Sequence, residues 1–164
     1  VLGEMRDLAT ISTALRAAET GHLVIGTLHT TDAVRTINRV VDIFPGDQQH
    51  QIRMQLAECL EAVLSQTLLS RVSGGRIGVF EILLANDAVR NTIREGKSHE
   101  LYSVMQLNSQ SGMKTLDESL AELVGSYTIS LEEALIHSIH PEVLRKMFET
   151  PSGRSPAMAS SRRG

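Results

Sequence analysis

The fold is decided by the stretch VLGEMRDLATISTALRAAETGHLVIGTLH, residues 1–29. It begins with an apolar stub at Val1, passes through a helical pattern that Asp7 can cap and Gly21 can end, and closes on an apolar, β-branched run at His22–His29. Strand, helix and strand in such a short stretch are typical of a βαβ unit. The stretch therefore predicts a parallel sheet with His22–His29 as a buried strand.

The following segments predict two more helices. Thr30 or Thr31 can cap a helix that ends before Pro45, and a longer helix begins at about Asp47, with an apolar side that reaches Val63. Both apolar patterns repeat at the helical period.

The pattern then changes to a hairpin and short helices. The strand-like segments Thr67–Val72 and Arg76–Leu84 are joined by Ser73-Gly74-Gly75, which is typical of a β-hairpin. Short amphipathic segments separated by turn residues follow, and they predict an all-helical part. These segments are Asp87–Glu95, Glu100–Leu107, Leu116–Val124, Leu131–Ile139 and Pro141–Phe148.

These patterns predict an α/β protein with three parts. Residues 1–85 form the α/β part, and residues 86–149 form a small all-helical subdomain. Residues 150–164, TPSGRSPAMASSRRG, have few large apolar groups, so we predict a disordered tail.

The composition argues against nucleic-acid binding, an internal disulfide and a membrane span. The net charge is -3, and because three arginines lie in the last fifteen residues, residues 1–149 carry 13 basic against 19 acidic groups, a net charge of -6. Such an acidic body disfavours nucleic-acid binding, which depends on clustered basic residues. One cysteine, Cys59, forms no internal disulfide, which fits a reducing cytoplasm. No apolar run approaches the roughly 18 residues of a membrane span.

A carboxylate follows the apolar stub. Period-two alternation would place Glu4 and Arg6 on the same side of an extended chain. The carboxyl end of a parallel strand is where α/β sheets bind ligands, and a carboxylate there can orient a water or contact a metal-bound nucleotide. The alternative is a solvated salt bridge between Glu4 and Arg6.

Two histidines flank the strand predicted at His22–His29. Their odd spacing places them on opposite sides and about 23 Å apart at about 3.3 Å per residue, so they cannot share a metal. His29 lies at the carboxyl end beside Glu4, where its imidazole could bind a phosphate oxygen. His22 lies at the other end, where the alternative role is to cap the preceding helix.

A short predicted helix, AVRNTIREGK, carries two arginines one turn apart, Arg90 and Arg94. Like charges at this spacing repel each other, which indicates either partners outside the chain or a solvated face. His137 and His140 are also close in sequence but lack partners at metal-binding spacing, and Cys59 lies on an apolar stripe as a small core residue. The sequence predicts no metal site.

The segment GEMRDLATISTALRAAETGHLVIGTLHTTDAVRTINRVVDIFP, residues 3–45, closely resembles the Walker B and His-box region of the PilT-type retraction ATPases, which belong to the secretion-ATPase superfamily. The segment AVRNTIRE, residues 88–95, is similar to the AIRNLIRE motif of that family. The resemblance runs from Val1 to about Leu131. It implies the C-terminal part of a RecA-like P-loop ATPase core, followed by a helical subdomain.

The resemblance also implies roles for individual residues. Glu4 matches the Walker B glutamate that polarises the hydrolytic water, and His22 and His29 match the two His-box histidines. The retraction motif, which implies coupling of hydrolysis to movement, is matched by Arg90, Asn91, Arg94 and Glu95.

The chain departs from the family pattern in several places. Ala9 replaces the usual Glu, and Val89 and Thr92 replace Ile and Leu. The P-loop GxxxxGK[ST], the acidic box and the arginine fingers do not occur, so no glycine-rich loop cradles phosphates. We therefore expect a C-terminal portion of a motor ATPase that is inactive alone. SQTLLSRV leads into Ser73-Gly74-Gly75 without the four-cysteine zinc insertion of assembly and secretion relatives, which favours the retraction branch.

For the complete protein the resemblance implies a homo-hexameric motor that uses ATP and Mg²⁺ to retract type IV pili in twitching motility. It further implies a cytoplasmic location, peripheral at the inner membrane, with the pilus inner-membrane platform as partner. The alternative hypothesis is a non-catalytic interaction module derived from a secretion ATPase.

Overall fold

The computed structural model describes residues 1–148, so the predicted tail at 150–164 lies outside the described residues. The helices are α1 Leu8–Glu19, α2 Ala33–Asp42, α3 Gln49–Cys59, α4 Asp87–Arg94, α5 Leu101–Leu107, α6 Leu116–Gly125, α7 Leu131–His137 and α8 Pro141–Phe148. The strands are β1 Ala62–Ser70 and β2 Arg76–Leu84. Short 3-10 turns occupy Ser98–Glu100 and Ser109–Ser111.

The amino-terminal βαβ connection is present in reduced form. Asp7 caps α1 by accepting a hydrogen bond from the Thr10 amide at 2.8 Å, and Gly21 follows the helix with φ at +90°. Leu2 then forms a parallel bridge with Gly26, which confirms the predicted parallel pairing across a helix.

Residues 22–29, which we call the rim segment, do not form the predicted buried strand. Leu23 is 79% exposed and Ile25 is 55% exposed, and the segment forms a single bridge instead of a regular strand. Within the described residues the rim segment pairs on one side with residues 1–5. A strand is buried only when neighbours cover it on both faces, and here they do not.

Three boundaries also differ from the prediction. Asp32, not Thr30 or Thr31, caps α2, because its carboxylate accepts a hydrogen bond from the Arg35 amide at 2.7 Å. The helix expected to reach Val63 ends at Cys59, and β1 begins at Ala62 instead of at residue 67. The apolar stripe continues across this junction because Val63 faces the same core from the strand.

The predicted hairpin is present, with a first strand that begins five residues earlier than predicted, and the helical part matches the prediction closely. The strands pair antiparallel from Ala62 opposite Leu84 to Ser70 opposite Arg76. All five predicted segments after residue 86 are helices within two residues at each end.

Two apolar clusters share the hairpin. The first joins the inner residues Val63 and Leu83 to helices α1 to α5, and the second joins Leu69 and Val79 to helices α6 to α8. Because the first cluster runs from α1 to α5, apolar packing crosses residue 85, and the predicted division there stays a prediction.

Candidate functional site

The candidate site consists of Glu4, Arg6 and His29, which the amino-terminal pairing brings together. The Leu2 amide donates to the Ile25 carbonyl at 2.8 Å, and the Met5 amide donates to the Thr27 carbonyl at 2.9 Å. These bonds place Glu4 beside the end of the rim segment. The His29 Nε2 atom lies 3.0 Å from Glu4 Oε1, and the Arg6 Nε atom donates to the same oxygen.

The charges of this site favour an ionised carboxylate. The hydrogen bond from Arg6 lowers the pKa of Glu4, burial opposes the change, and the charge of Arg6 and the contact with His29 lower the pKa further. Glu4 can therefore accept a hydrogen bond from a water at neutral pH. The His29 side chain is 82% exposed, so the site is open to solvent.

The geometry is thus compatible with both roles that the sequence predicted for Glu4, a carboxylate that orients water and a solvated salt bridge with Arg6. Glu4 forms the predicted salt bridge with Arg6. It also contacts His29, which was predicted to lie beside it at the carboxyl end of the rim segment. A salt bridge does not remove the lone pairs of the second carboxylate oxygen, which remains able to bind water.

His22 lies apart from Glu4. Its Nδ1 atom is 3.2 Å from the Ala17 carbonyl and 3.1 Å from Thr20 Oγ1, at the end of α1. His22 thus adopts the alternative role predicted from the sequence, in which it caps the preceding helix.

The loop after His29 is tightly bonded to the start of α2. Thr30 Oγ1 and Thr36 Oγ1 are 2.6 Å apart, and Thr31 Oγ1 donates to the buried Asp32 carboxylate at 3.0 Å. Movement of the first turn of α2 must therefore move this loop.

Sequence reasoning missed Glu81, which is 2% exposed in β2. Its Oε1 atom accepts a hydrogen bond from the Ala33 amide at 2.7 Å, and its Oε2 atom accepts one from the Leu116 amide at 3.1 Å. One carboxylate thus holds the first amides of α2 and α6. The signal was present in the strand RIGVFEILL, where the charged residue occupies the inward-facing parity of Val79 and Leu83.

Opposing effects act on the Glu81 carboxylate. Burial raises its pKa, and the charges of Asp32 and Asp117 raise it further, whereas the two amide donors lower it. Burial has the larger effect, so the pKa of Glu81 lies above that of an exposed glutamate.

The candidate coupling motif divides into two parts on α4. Arg90 is partly buried, and its Nη1 atom donates to the Ala57 carbonyl at 2.6 Å and to the Glu58 carbonyl at 2.7 Å. These carbonyls lie in the last turn of α3, whose C-terminal oxygens need donors. Arg90 is therefore bonded within the chain, which is neither of the two arrangements predicted for it, a solvated face or a contact with an external partner.

The other motif residues lie on the outer side of α4. The Asn91 side chain donates to Glu95 at 3.0 Å, and Lys97 pairs with Glu95 at 2.8 Å. Those contacts lower the pKa of Glu95, with a smaller effect from the charge of Arg94. Within residues 1–148 the Arg94 side chain makes no hydrogen bond or ion pair, so it is the arginine of the motif that can reach a partner.

The remaining candidates have structural surroundings. His140 stacks edge-on against Tyr102 with ring centroids 4.5 Å apart, and its amide donates to the buried Asp117 carboxylate at 3.0 Å. Cys59 packs partly buried against the first apolar cluster, and burial raises the pKa of its thiol. Within residues 1–148, no three side chains of the metal-binding types are grouped to hold an ion.

Comparison with known proteins shows which proteins this part of the chain resembles. Residues 1–74 match the family described as "Type II/IV secretion system protein". This stretch contains the candidate site, the rim segment and β1. Over these residues the chain is similar to the type II/IV secretion system proteins.

Individual relatives indicate the branch. The type IV pilus retraction ATPase PilT of Pseudomonas aeruginosa is 50% identical over 142 residues, which cover 87% of this chain and 41% of PilT. A twitching motility protein of Neisseria gonorrhoeae is 53% identical over 135 residues, covering 82% of this chain and 36% of the relative. The crystal structure of the pilus retraction motor PilT with bound ADP superposes with a TM-score of 0.80 at 49% identity, covering 88% of this chain and 40% of that one.

The chain is thus PilT-like, and its mixed helical and sheet fold is that of the PilT structure over the shared part. It spans less than half the length of these relatives. Within residues 1–148, no helix is long and apolar enough to cross a membrane.

Proposed function

We propose that the chain provides the Walker B and His-box part of a motor ATPase that couples ATP hydrolysis to retraction of type IV pili. The observation that carries the proposal is the Glu4–His29 contact at 3.0 Å, in a segment that matches the secretion ATPase family. PilT is a pilus retraction motor that has been crystallised with bound ADP, which supports nucleotide use.

The geometry of the site supports different roles for Glu4, His29 and His22. Glu4, a carboxylate whose pKa the hydrogen bond from Arg6 lowers, orients the attacking water, and His29 contacts a phosphate oxygen from the exposed side. His22 has a weaker, positioning effect because it bonds the end of α1. The chain contains no phosphate-binding loop, so it forms only one wall of an ATP–Mg²⁺ site.

The proposal extends to the assembled protein. Residues 1–85 belong to the RecA-like core and residues 86–149 to the helical subdomain, and the complete motor is a homo-hexamer that works at the inner-membrane pilus platform from the cytoplasmic side. Arg94, together with Asn91 and Glu95, transmits the nucleotide state to the load. Arg90 supports this helix from within by binding the end of α3.

The test uses a chimera that joins this chain to the part of Pseudomonas aeruginosa PilT that it does not match. We expect the chimera to bind and hydrolyse ATP. Glu4→Gln should leave ATP binding intact and lower turnover about a hundredfold, equivalent to about 2.7 kcal/mol of transition-state stabilisation. Glu19→Gln, at the exposed end of α1, is the matched control and should leave turnover unchanged.

Three outcomes decide the proposal. Turnover of the Glu4→Gln chimera within threefold of the parent contradicts the catalytic role of Glu4. A folded chimera that does not bind ATP overturns the ATPase proposal and favours the non-catalytic module. The separate 164-residue chain should not bind a labelled ATP analogue, and micromolar, Mg²⁺-dependent binding by it would contradict the one-wall description.

The coupling role requires paired measurements on the same chimera. Arg94→Ala should reduce twitching of cells more than it reduces ATP hydrolysis by the purified protein, because Glu4 and His29 remain in place. A proportional fall in both activities would show that Arg94 supports folding or the active site instead.

A further inference from the structure

The buried carboxylate of Glu81 has no role in the proposed chemistry, yet it contacts two parts of the molecule that the proposed function must connect. Its two oxygens bind the Ala33 amide of α2 and the Leu116 amide of α6. We propose that Glu81 is a positioning residue that links the loop carrying His29 to the helices that follow residue 115.

The first step of the argument concerns the His29 side. Ala33 is the first residue of α2, and the loop before it is bonded to that helix through the contact between Thr30 and Thr36 at 2.6 Å. Thr36 also donates its hydroxyl to the Asp32 carbonyl at 2.8 Å. Residues 30–36 therefore move together, and a displacement of the Ala33 amide displaces the residues next to His29.

The second step concerns the side of α6. Lys114 forms a bridge with Ile82 through bonds of 2.8 and 2.9 Å, so the start of α6 is held to β2 beside Glu81. The Glu118 side chain accepts from the Thr115 amide at 2.8 Å and completes a capping box. The amino-terminal turn of α6 is therefore rigid and can transmit a displacement.

The third step concerns chemistry. A carboxylate accepts at both oxygens, whereas a glutamine side chain has one acceptor oxygen and presents an amide donor at the other position. Two amide donors at separate oxygens thus require a glutamate that is long enough to reach both. Asp32 and Asp117 are the other buried acids that act on Glu81; Asp32 is bonded to the start of α2, and Asp117 is bonded to the turn before α8.

The link has functional meaning only if the proposed function holds, because it would connect His29 to the helical half of a motor. The test is independent of ATP. In the 164-residue chain, Glu118→Ala disturbs the start of α6, and NMR measures the resulting shifts of the His29 and Thr30 signals. We expect such shifts when Glu81 is present and their loss when Glu118→Ala is combined with Glu81→Gln.

A matched control uses another carboxylate that binds a backbone amide. Glu133 of α7 accepts from the Ser70 amide at 2.8 Å, and its side chain makes no hydrogen bond to α2 or α6 within residues 1–148. Combining Glu118→Ala with Glu133→Gln should leave the shifts at His29 intact. Glu81→Asp, which is too short to hold both amides, should also lose the shifts and replaces Glu81→Gln if that variant does not fold.

Two results would overturn the proposal. If Glu118→Ala leaves His29 unaffected in the parent, no coupling exists. If the shifts persist in the Glu81 variants, the coupling runs through other contacts between α2 and the hairpin. Hydrogen exchange of residues 29–36, measured on the same variants, gives a second readout with the same expected pattern.

Discussion

The rim segment carries His29 at an exposed end and is held to residues 1–5 mainly by backbone bonds, whereas β2 carries Glu81 in the interior with both oxygens bonded. The groups proposed for chemistry thus lie where few contacts hold them, whereas Glu81, which accepts two backbone amides, is only 2% exposed. Segments with few buried contacts open most easily, so we expect the rim to adjust to a ligand while β2 stays fixed.

The largest expected effect comes from core truncation in the two regions. Leu83 in β2 is fully buried, so Leu83→Ala should lower the free energy of unfolding by about 2–5 kcal/mol. Leu23 in the rim segment is mostly exposed, and Leu23→Ala should change it by less than about 0.5 kcal/mol. Urea unfolding of both variants measures the difference. Equal costs would show that the rim is packed as firmly as β2.

The next effect isolates the Glu81 carboxylate. Glu81→Gln leaves one buried amide without an acceptor and should lower the free energy of unfolding by about 1–3 kcal/mol. Glu133→Gln, on a half-buried side chain, should cost less. Urea unfolding at neutral pH compares the two, and a larger cost for Glu133→Gln would contradict the central position given to Glu81.

The stability difference between the parent and Glu81→Gln should depend on pH because the pKa of Glu81 is raised. A raised pKa means that the folded protein binds this proton more readily than the unfolded chain does. The Glu81 contribution to stability should therefore fall as the pH rises from the ordinary glutamate pKa of about 4.3 to the raised value, and then level off. The difference between parent and Glu81→Gln isolates this change. If the difference in stability between the parent and Glu81→Gln does not depend on pH, the two amide donors cancel the effect of burial on the pKa of Glu81.

How far the sequence predicts the structure differs between the same two regions. The hairpin and the last five helices follow from local signals, such as Gly74 at φ +88° in the turn and the capping residue Thr115. The rim segment was predicted wrongly because burial of a strand depends on neighbours and not on its own apolar residues. Composition of a segment cannot reveal what lies on either side of it.

The candidate site shows the same division. The Glu4–His29 contact was predictable because parallel pairing across one helix brings the ends of adjacent segments together. The partners of Glu81 and Arg90 lie 48 and 33 residues away in sequence, at Ala33 and Ala57. Only the tertiary packing brings those groups together, so neither contact follows from periodicity or spacing.

A smaller effect separates the two arginines of α4. Arg90→Ala removes donors from the last turn of α3 and should lower the free energy of unfolding by roughly 1–2 kcal/mol. Arg94→Ala should change it by less than about 0.5 kcal/mol, because the side chain makes no bond among residues 1–148. Thermal and urea unfolding measure both. Equal costs would mean that Arg94 is bonded in solution, and Arg94→Ala would then no longer test coupling separately from stability.

The smallest expected effect on stability concerns Arg6 at the exposed candidate site. Because Arg6 is the main cause of the lowered pKa of Glu4, Arg6→Ala should raise that pKa toward the ordinary value. The stabilisation from this ion pair is present above the ordinary glutamate pKa and is lost as the pH falls through the lowered value. Solvent screens an exposed pair, so the free energy of unfolding at neutral pH should hardly change. A carbon-13 NMR titration of the Glu4 carboxyl measures the pKa, with Arg16→Ala on α1 as the control that should leave it unchanged. If Arg6→Ala leaves the Glu4 pKa where it was, His29 holds the carboxylate, and the rim is tied to residues 1–5 through the histidine itself.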